Sequence, residues 1–482
     1  MKLATTAVDA GGRTSRELTD SSMAGKSQKR KVEIVVPSAA RTIRSLRDIG
    51  YDLPRAVADL IDNSIAAGAT QVDVTLRFDG SDSWIRIADN GEGMDATTLL
   101  EAMRYGSERD YAADDLGKFG FGLKTASTSQ CRRLTVASRR AAQQRRFEVR
   151  CLDLAHIEAT NRWEILVPEG QDRTEHLLEP LQDGRGTVVL WEDLDRVLDY
   201  KDPFGNWAKR RLLNLAEEID EHLAMVFHRF LSGEVKGQKL SIKVNGSKVV
   251  AWDPFCRDEP SSTSLPAKDL QVTGNDGLGI VRVHPHVLPQ QTEFSSDAAW
   301  RRASGPAKWN RQQGLYIYRA NRLIQPGGGW NRLRTVDEHT KLARVAVDFY
   351  PELDASFGID IAKAFVQLPD DLREQLEPII AGVAREAERR YRKGGSRRGR
   401  ALATTPAVGA RAGTASSNTA GTESSGRESE PARRGPQPVS AEGRARRAME
   451  EAAEVVSEVD ALTRIVSALV KRNPEVARDL GW

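Results

Sequence analysis

The sequence predicts an α+β protein made of two mixed domains, a low-complexity linker and a terminal helix, and three observations carry that reading. Runs that alternate or are rich in β-branched residues, such as QVDVTLRF and WIRIADN, interleave with stretches of helical period. The pattern shifts to short strands near Gly237, and residues 394–440 lose nearly all large apolar side chains. At 482 residues and 39% hydrophobic content the chain is long enough for two or three ordinary cores. Its 71 basic and 68 acidic residues leave a net charge of +3, so any surface for nucleic acid or membrane must be local. Cys131, Cys151 and Cys256 stand far apart with no CxxC pair, which argues against a disulfide framework or a zinc site. No uninterrupted apolar run approaches the roughly 18 residues of a membrane span, and the first residues lack a signal-peptide pattern. A soluble cytoplasmic protein is expected.

Taken in order, residues 1–30 are polar with nothing to bury and read as a mobile leader. KVEIVVP reads as a strand, after which Pro37 and Ser38 open a helix through AARTIRSLRDIG. LPRAVADLIDNSIAAGAT, residues 53–70, is a second helix, small and apolar except for Asp59, Asp62 and Asn63. Asp59 and Asn63 are four apart and share a face. By spacing alone they could be the solvated edge of an amphipathic helix. QVDVTLRF, WIRIADN, RRLTVASRR, RRFEVRCLDL and GTVVLWEDL follow as strands, and a long helix from NWAKRRLLNL reads as a connector over 201–236. From Gly237, KLSIKVNGSKVV, LGIVRVHPHVL, GLYIYRANRLI and ARVAVDFYP indicate a second α/β domain, closed by the helix LPDDLREQLEPIIAGVAREAERRYRK and ending at Lys393. Residues 394–440 cannot repay their ordering entropy and read as a disordered linker. In 441–482 an amphipathic period returns, with Val455, Val456, Val459, Leu462, Ile465, Val466 and Leu469 forming a stripe that needs a partner.

Two further stretches carry chemistry. WIRIADNGEGM ends in Asp89, Asn90, Gly91, Glu92 and Gly93: an acid at a strand end can accept from an exocyclic amine, and glycines at two-residue spacing let backbone approach a flat ligand. Alone, this is a turn. LGKFGFGLKTAS sets Gly117, Gly120 and Gly122 around Lys118 and Lys124 before a helix, an arrangement of backbone N–H groups and charge suited to phosphate, though a hinge loop would look the same.

In this order the acid-and-Asn helix, the DxGxG strand end and the GxxGxG loop resemble the ATPase domain of the GHKL superfamily, which includes Hsp90, DNA gyrase B, MutL, MORC proteins and histidine kinases. DGRGTVVLWEDL supplies a fourth element, with Thr187 where the family usually meets the nucleotide. DLIDNSIAAGA, DNGEGM and GKFGFGLKTAS are most similar to the MORC and MutL branches. The resemblance implies a Bergerat-type ATP-binding sandwich over 31–200 and, more weakly, a ribosomal-S5-like transducer over 237–393. It implies Mg²⁺ on Asn63, adenine on Asp89, a base pocket lined by Gly91 and Gly93, and a phosphate lid from Gly117 to Gly122 with Lys118 and Lys124 nearby. The catalytic position is Asp59, where relatives usually carry Glu; a carboxylate shorter by one methylene loses roughly 1–1.5 Å of reach, and misplacement on that scale can cost about 10²-fold in rate. Ala66 also stands where relatives often carry Asp. Relatives send a transducer lysine to the γ-phosphate, and Lys363 in FGIDIAKAFVQLP is the candidate here. The function implied is a slowly hydrolysing Mg-ATP clamp, working as a homodimer on DNA in repair, restriction or phage defence. The alternative is an Hsp90-like chaperone or protein-assembly switch. The basic run RRYRKGGSRRGR suits duplex DNA, and the terminal helix suits self-association or a partner protein.

Overall fold

Local sequence sets where the first two helices begin. In the computed structural model, which describes residues 35–48, 51–106, 122–141, 146–169, 175–182, 184–274, 277–359 and 366–402, with side chains as far as Lys393, Ser38 accepts from the Arg41 N–H to cap α1 (Ala39–Arg47). Asp52 does the same for α2 (Leu53–Ala66) through the Arg55 N–H, with Pro54 in the first turn. All described residues belong to one compact unit ending at Thr405. Val35 and Val36, the described end of KVEIVVP, are exposed and lie in no strand; the rest of that run, the leader, most of the linker and the terminal helix fall outside the described residues.

The next elements are β1 (Gln71–Arg77), β2 (Trp84–Asp89), α3 (Ala96–Ala102), α4 (Gly122–Thr128), β3 (Arg133–Arg139), β4 (Glu148–Asp153), α5 (Leu154–Thr160), α6 (Glu175–Leu178) and β5 (Gly186–Glu192). Then come α7 (Asn206–Val226), α8 (His228–Leu231), β6 (Ser241–Val244) and β7 (Ser247–Lys248). They build a seven-stranded sheet in the order β4-β3-β5-β2-β1-β6-β7. Side-chain alternation decides its faces. Ile85 and Ile87 of β2 join Val57, Leu60 and Ile61 of α2 in the main core, whereas Ala88 turns to a smaller cluster with Val188 and Leu190.

The break expected at Gly237 is displaced. KLSIKVNGSKVV does not start the second domain: β6 runs parallel to β1, Gln71 opposite Ser241, and Ile242 and Val244 enter the main core beside Val72 and Val74. Asn245 reinforces the junction by accepting from the Leu76 N–H at 2.8 Å. An edge strand shows the same alternation whichever sheet it joins, so its pattern could not assign it.

The second sheet comprises β8 (Thr263–Ser264), β9 (Lys268–Gly274), β10 (Gly277–Val287), β11 (Gly314–Arg319), β12 (Arg322–Pro326) and β13 (Ala343–Phe349), in the order β12-β11-β13-β10-β8 with β9 also on β10. Between β10 and β11 lie α9 (Asp297–Ala303) and α10 (Lys308–Gln312), and α11 (Asp370–Leu402) follows the sheet. The backbone of α11 continues beyond Lys393 into the segment that composition assigns to the linker. β11 is buried along its whole length because both faces are covered. Leu315 and Ile317 pack in a cluster with Leu372, Leu376 and Val383 of α11; Tyr316 and Tyr318 join the main core with Leu223 of α7. Ala320 and Asn321, with φ of 46° and 69°, make the tight turn from β11 to β12, a left-handed pair of the kind that matches strand twist in two-residue hairpins.

Among the described residues no helix is long and apolar enough to cross a membrane. Leu323 of β12 is 1% exposed and belongs to the main core that the first sheet also builds. Leu323→Ala is expected to lower stability by about 2–5 kcal/mol, measured as a lower urea midpoint with an unchanged slope.

Candidate functional site

At the end of β2 the backbone prepares a buried carboxylate. Asp89 lies opposite Thr187 in the β2–β5 pair. Its Oδ1 accepts from the Gly91 N–H at 2.8 Å and the Thr187 N–H at 3.2 Å, and its Oδ2 from the Ser64 hydroxyl at 3.0 Å. Burial pushes the Asp89 carboxyl above the usual range, partly offset by the Gly91, Ser64 and Thr187 donors. Two donors occupy Oδ1 and one occupies Oδ2, which leaves acceptor capacity on Oδ2. Glycine is required on this rim. A Cβ on Gly91 would stand 3.0 Å from Asp89 Oδ1 and 2.9 Å from the Ala67 carbonyl; one on Gly93, at φ +68°, would meet the Arg139 carbonyl at 2.2 Å. The Thr187 hydroxyl sits 3.0 Å from Ser138 Oγ, so within the protein it is the backbone of Thr187 that touches Asp89.

The polar residues of α2 part company by helical position. Asn63 is exposed, while Asp59 and Asp62 are 3% and 0% exposed. Tyr51, just before the helix, donates its hydroxyl to Asp59 Oδ2 at 2.7 Å. From the second sheet, the first residue of β12 supplies a cation: Arg322 Nε lies 3.0 and 2.8 Å from the two oxygens of Asp62, and its terminal nitrogen is 3.6 Å from Asp59 Oδ1. Gly122 opens α4 on the other side, where a Cβ would be 3.8 Å from Asp59 Oδ2. Arg322, Tyr51, Asp62 and Ser64 were not among the site residues read from the motifs. The available signals were Asp62 one turn from Asp59 and, in YIYRANRLI, a charged residue inside an apolar strand pattern.

Lys124 is buried, 2% exposed; its ammonium donates to the Ala102 carbonyl at 2.9 Å and lies 5.9 Å from the centre of the Tyr105 ring. In this arrangement it is engaged with the end of α3. Burial pushes its pKa down to about 8, with Glu101 opposing. Gly117, Lys118, Gly120 and Lys363 lie outside the described residues. For a lysine held low when folded, the unfolded chain binds more protons between pH about 8 and 10.5, so stability rises with pH across that window and is lost as pH falls through 8. The protein should therefore gain on Lys124→Met by up to about 1.4 kcal/mol per pH unit there, read as the difference in melting curves.

The family described as Histidine kinase-, DNA gyrase B-, and HSP90-like ATPase matches residues 51–187, from Tyr51 to Thr187. DNA mismatch repair protein MutL of Cellvibrio japonicus is 28% identical over 228 residues, which cover 46% of this chain and 32% of that protein. MutL of Shewanella denitrificans is 37% identical over 117 residues (23% and 16%), and MutL of Aliivibrio fischeri 41% over 93 residues (18% and 14%). The chain thus aligns with about a third or less of the length of these relatives. Residues 51–187 belong to the GHKL superfamily of ATPase domains and are related to the corresponding part of MutL.

Proposed function

We propose that the protein binds Mg-ATP between α2 and the end of β2, hydrolyses it slowly, and acts as a nucleotide-gated dimeric clamp on DNA. The observation that carries the reading is the Asp89 carboxylate: buried, fixed by three donors, still able to accept on Oδ2, and flanked by glycines that let the neighbouring backbone close tightly around it. An adenine amino group is the donor that fits it. Among the described residues no group of three or more His, Cys, Asp and Glu side chains is disposed to hold a metal by itself. Mg²⁺ commonly takes only one or two protein ligands and completes its octahedron with phosphate oxygens and water, and the exposed amide of Asn63 is a hard neutral donor of the required kind. When bound, the ion neutralises charge on the phosphates. Asp59 is the carboxylate that would orient and deprotonate the attacking water. Gly117, Lys118, Gly120 and Gly122 would close over the phosphates, and Lys363 would reach them from the second domain. The DNA part of the reading is supported by the mismatch-repair relatives and by the basic run RRYRKGGSRRGR.

Asp89→Asn replaces a charged acceptor by an amide and should weaken ATP binding about 10- to 100-fold by calorimetry. Because the Asp89 carboxyl is raised by burial, wild-type affinity should begin to fall, as pH is lowered, above the usual carboxylate range; the Asn variant should lack that limb. Asp59→Ala should bind ATP and not turn it over, whereas Asp59→Glu should preserve or raise the rate. Equal rates for wild type and Asp59→Ala would remove the enzyme from the proposal.

The clamp is tested on the full chain. A concentration-dependent dimer should form and compact with a non-hydrolysable ATP analogue, seen by light-scattering mass and X-ray scattering. Duplex DNA should stimulate turnover less as salt rises. A monomer whose shape ignores saturating nucleotide would rule the clamp out.

A further inference from the structure

We propose that Arg322 is a positioning residue for the Asp59 carboxylate, anchored by Asp62, and that through this one side chain the second sheet controls turnover. The inference rests on the reading of Asp59 as the group that activates water. Its basis is a charge problem that α2 cannot solve alone. Asp59 and Asp62 are one turn apart and both buried, so each faces a like charge in a medium that strengthens the repulsion. Among the described residues, the ion pairs of both acids bring in the same cation, Arg322, itself 3% exposed.

The geometry divides its labour. Nε sits within hydrogen-bonding distance of both Asp62 oxygens, a charge-assisted contact that fixes the guanidinium plane. The terminal nitrogen then faces Asp59 Oδ1 at 3.6 Å, an ionic contact beyond hydrogen-bond distance that places positive charge at that oxygen. Tyr51 holds Oδ2, and Oδ2 is also the oxygen nearest the start of α4 at Gly122. Asp59 is thereby held from two sides, one oxygen toward the second sheet and the other toward Tyr51 and the start of α4.

The base of Arg322 is equally constrained. It follows the left-handed Ala320–Asn321 turn and pairs across it with Arg319, whose guanidinium is held by the buried Asp354 at 2.7 and 2.8 Å. Leu323 beside it is locked in the main core. A displacement of the hairpin must therefore move the guanidinium, and with it Asp59. Misplacing a catalytic group by about 1 Å can cost about 10²-fold in rate without touching remote binding contacts. The adenine contacts of Asp89 lie on a different strand and need not change.

The experiment measures affinity for a non-hydrolysable ATP analogue and steady-state turnover on full-length Arg322→Gln, Arg322→Lys, Asp62→Asn and Asp59→Ala, with melting curves for each. Expected are analogue affinities within about threefold of wild type, turnover down about 10²-fold in Arg322→Gln and Asp62→Asn, and partial recovery in Arg322→Lys, which returns charge without the planar fork. Wild-type turnover in a folded Arg322→Gln overturns the proposal, as does loss of affinity and turnover together with no recovery in Arg322→Lys, the mark of a purely structural residue. Should both Arg322 variants fail to fold, Asp62→Asn decides: wild-type turnover there is equally fatal. An active Asp59→Ala identifies instead a failure of the underlying reading of Asp59, and the positioning role falls with it.

Discussion

Two carboxylates one turn apart on a buried helix demand a cation, and the fold meets that demand from a different sheet. Breaking such a cluster by removing one partner is far more damaging than never building it, because an uncompensated buried charge remains. The rest of the molecule is arranged so that Arg322 cannot drift. Its hairpin is closed by a two-residue turn, its neighbour Arg319 is tied to Asp354, and β11 is covered on both faces. Tyr316 and Tyr318 on one face of that strand share a core with α7, and α7 packs against α2. The path from second sheet to acid is thus doubled, once through apolar packing and once through the ion pair.

The polar residues from Asp59 to Ser64 on this small apolar helix have different surroundings. Asp59 faces Tyr51 and Arg322, Asp62 takes the anchor of Arg322, Asn63 is exposed, and Ser64 reaches Asp89 at the end of β2. With 100° between successive residues, positions 59, 62 and 63 cluster on one side and 64 swings toward the sheet. One helix therefore joins the buried Asp89 carboxylate to the buried acid cluster. A tilt of α2 cannot alter one without disturbing the other. Under the proposed function, this linkage would couple what is bound at Asp89 to what happens near Asp59.

The sequence was most legible where chemistry is local. Strand alternation placed β1 to β5, Pro37 and Ser38 placed the start of α1, and the order of Asp59, Asn63, Asp89, Gly91 and Gly93 identified the superfamily. It was least legible where the partner is remote. β6 has the alternation of any edge strand, so its place beside β1 rests on a parallel pairing that no neighbouring residue encodes. Arg322 is 260 positions from Asp62, and within YIYRANRLI it is a charge in an apolar run with nothing to say whom it meets. Lys124 is a case of the opposite kind: a lysine in a glycine-rich stretch suggests phosphate, and its local sequence does not tell that its ammonium donates to the Ala102 carbonyl. Glycine spacing reports backbone freedom; it does not report where a flexible cation points.

The same constraint bears on having Asp rather than Glu at position 59. A shorter carboxylate on an exposed helix could recover reach by rotating, but Asp59 has little such freedom, since Oδ1 faces a guanidinium and Oδ2 a phenol. In the proposed reaction the water and γ-phosphate must then come to the acid. The side from which they can do so is marked by Gly122, where a Cβ would stand 3.8 Å from Asp59 Oδ2. A larger residue there would fill the approach that the missing methylene makes necessary. On this view the short acid, the glycine opposite it and the arginine behind it are one adaptation: the acid is held still, and the water and phosphate are brought to it.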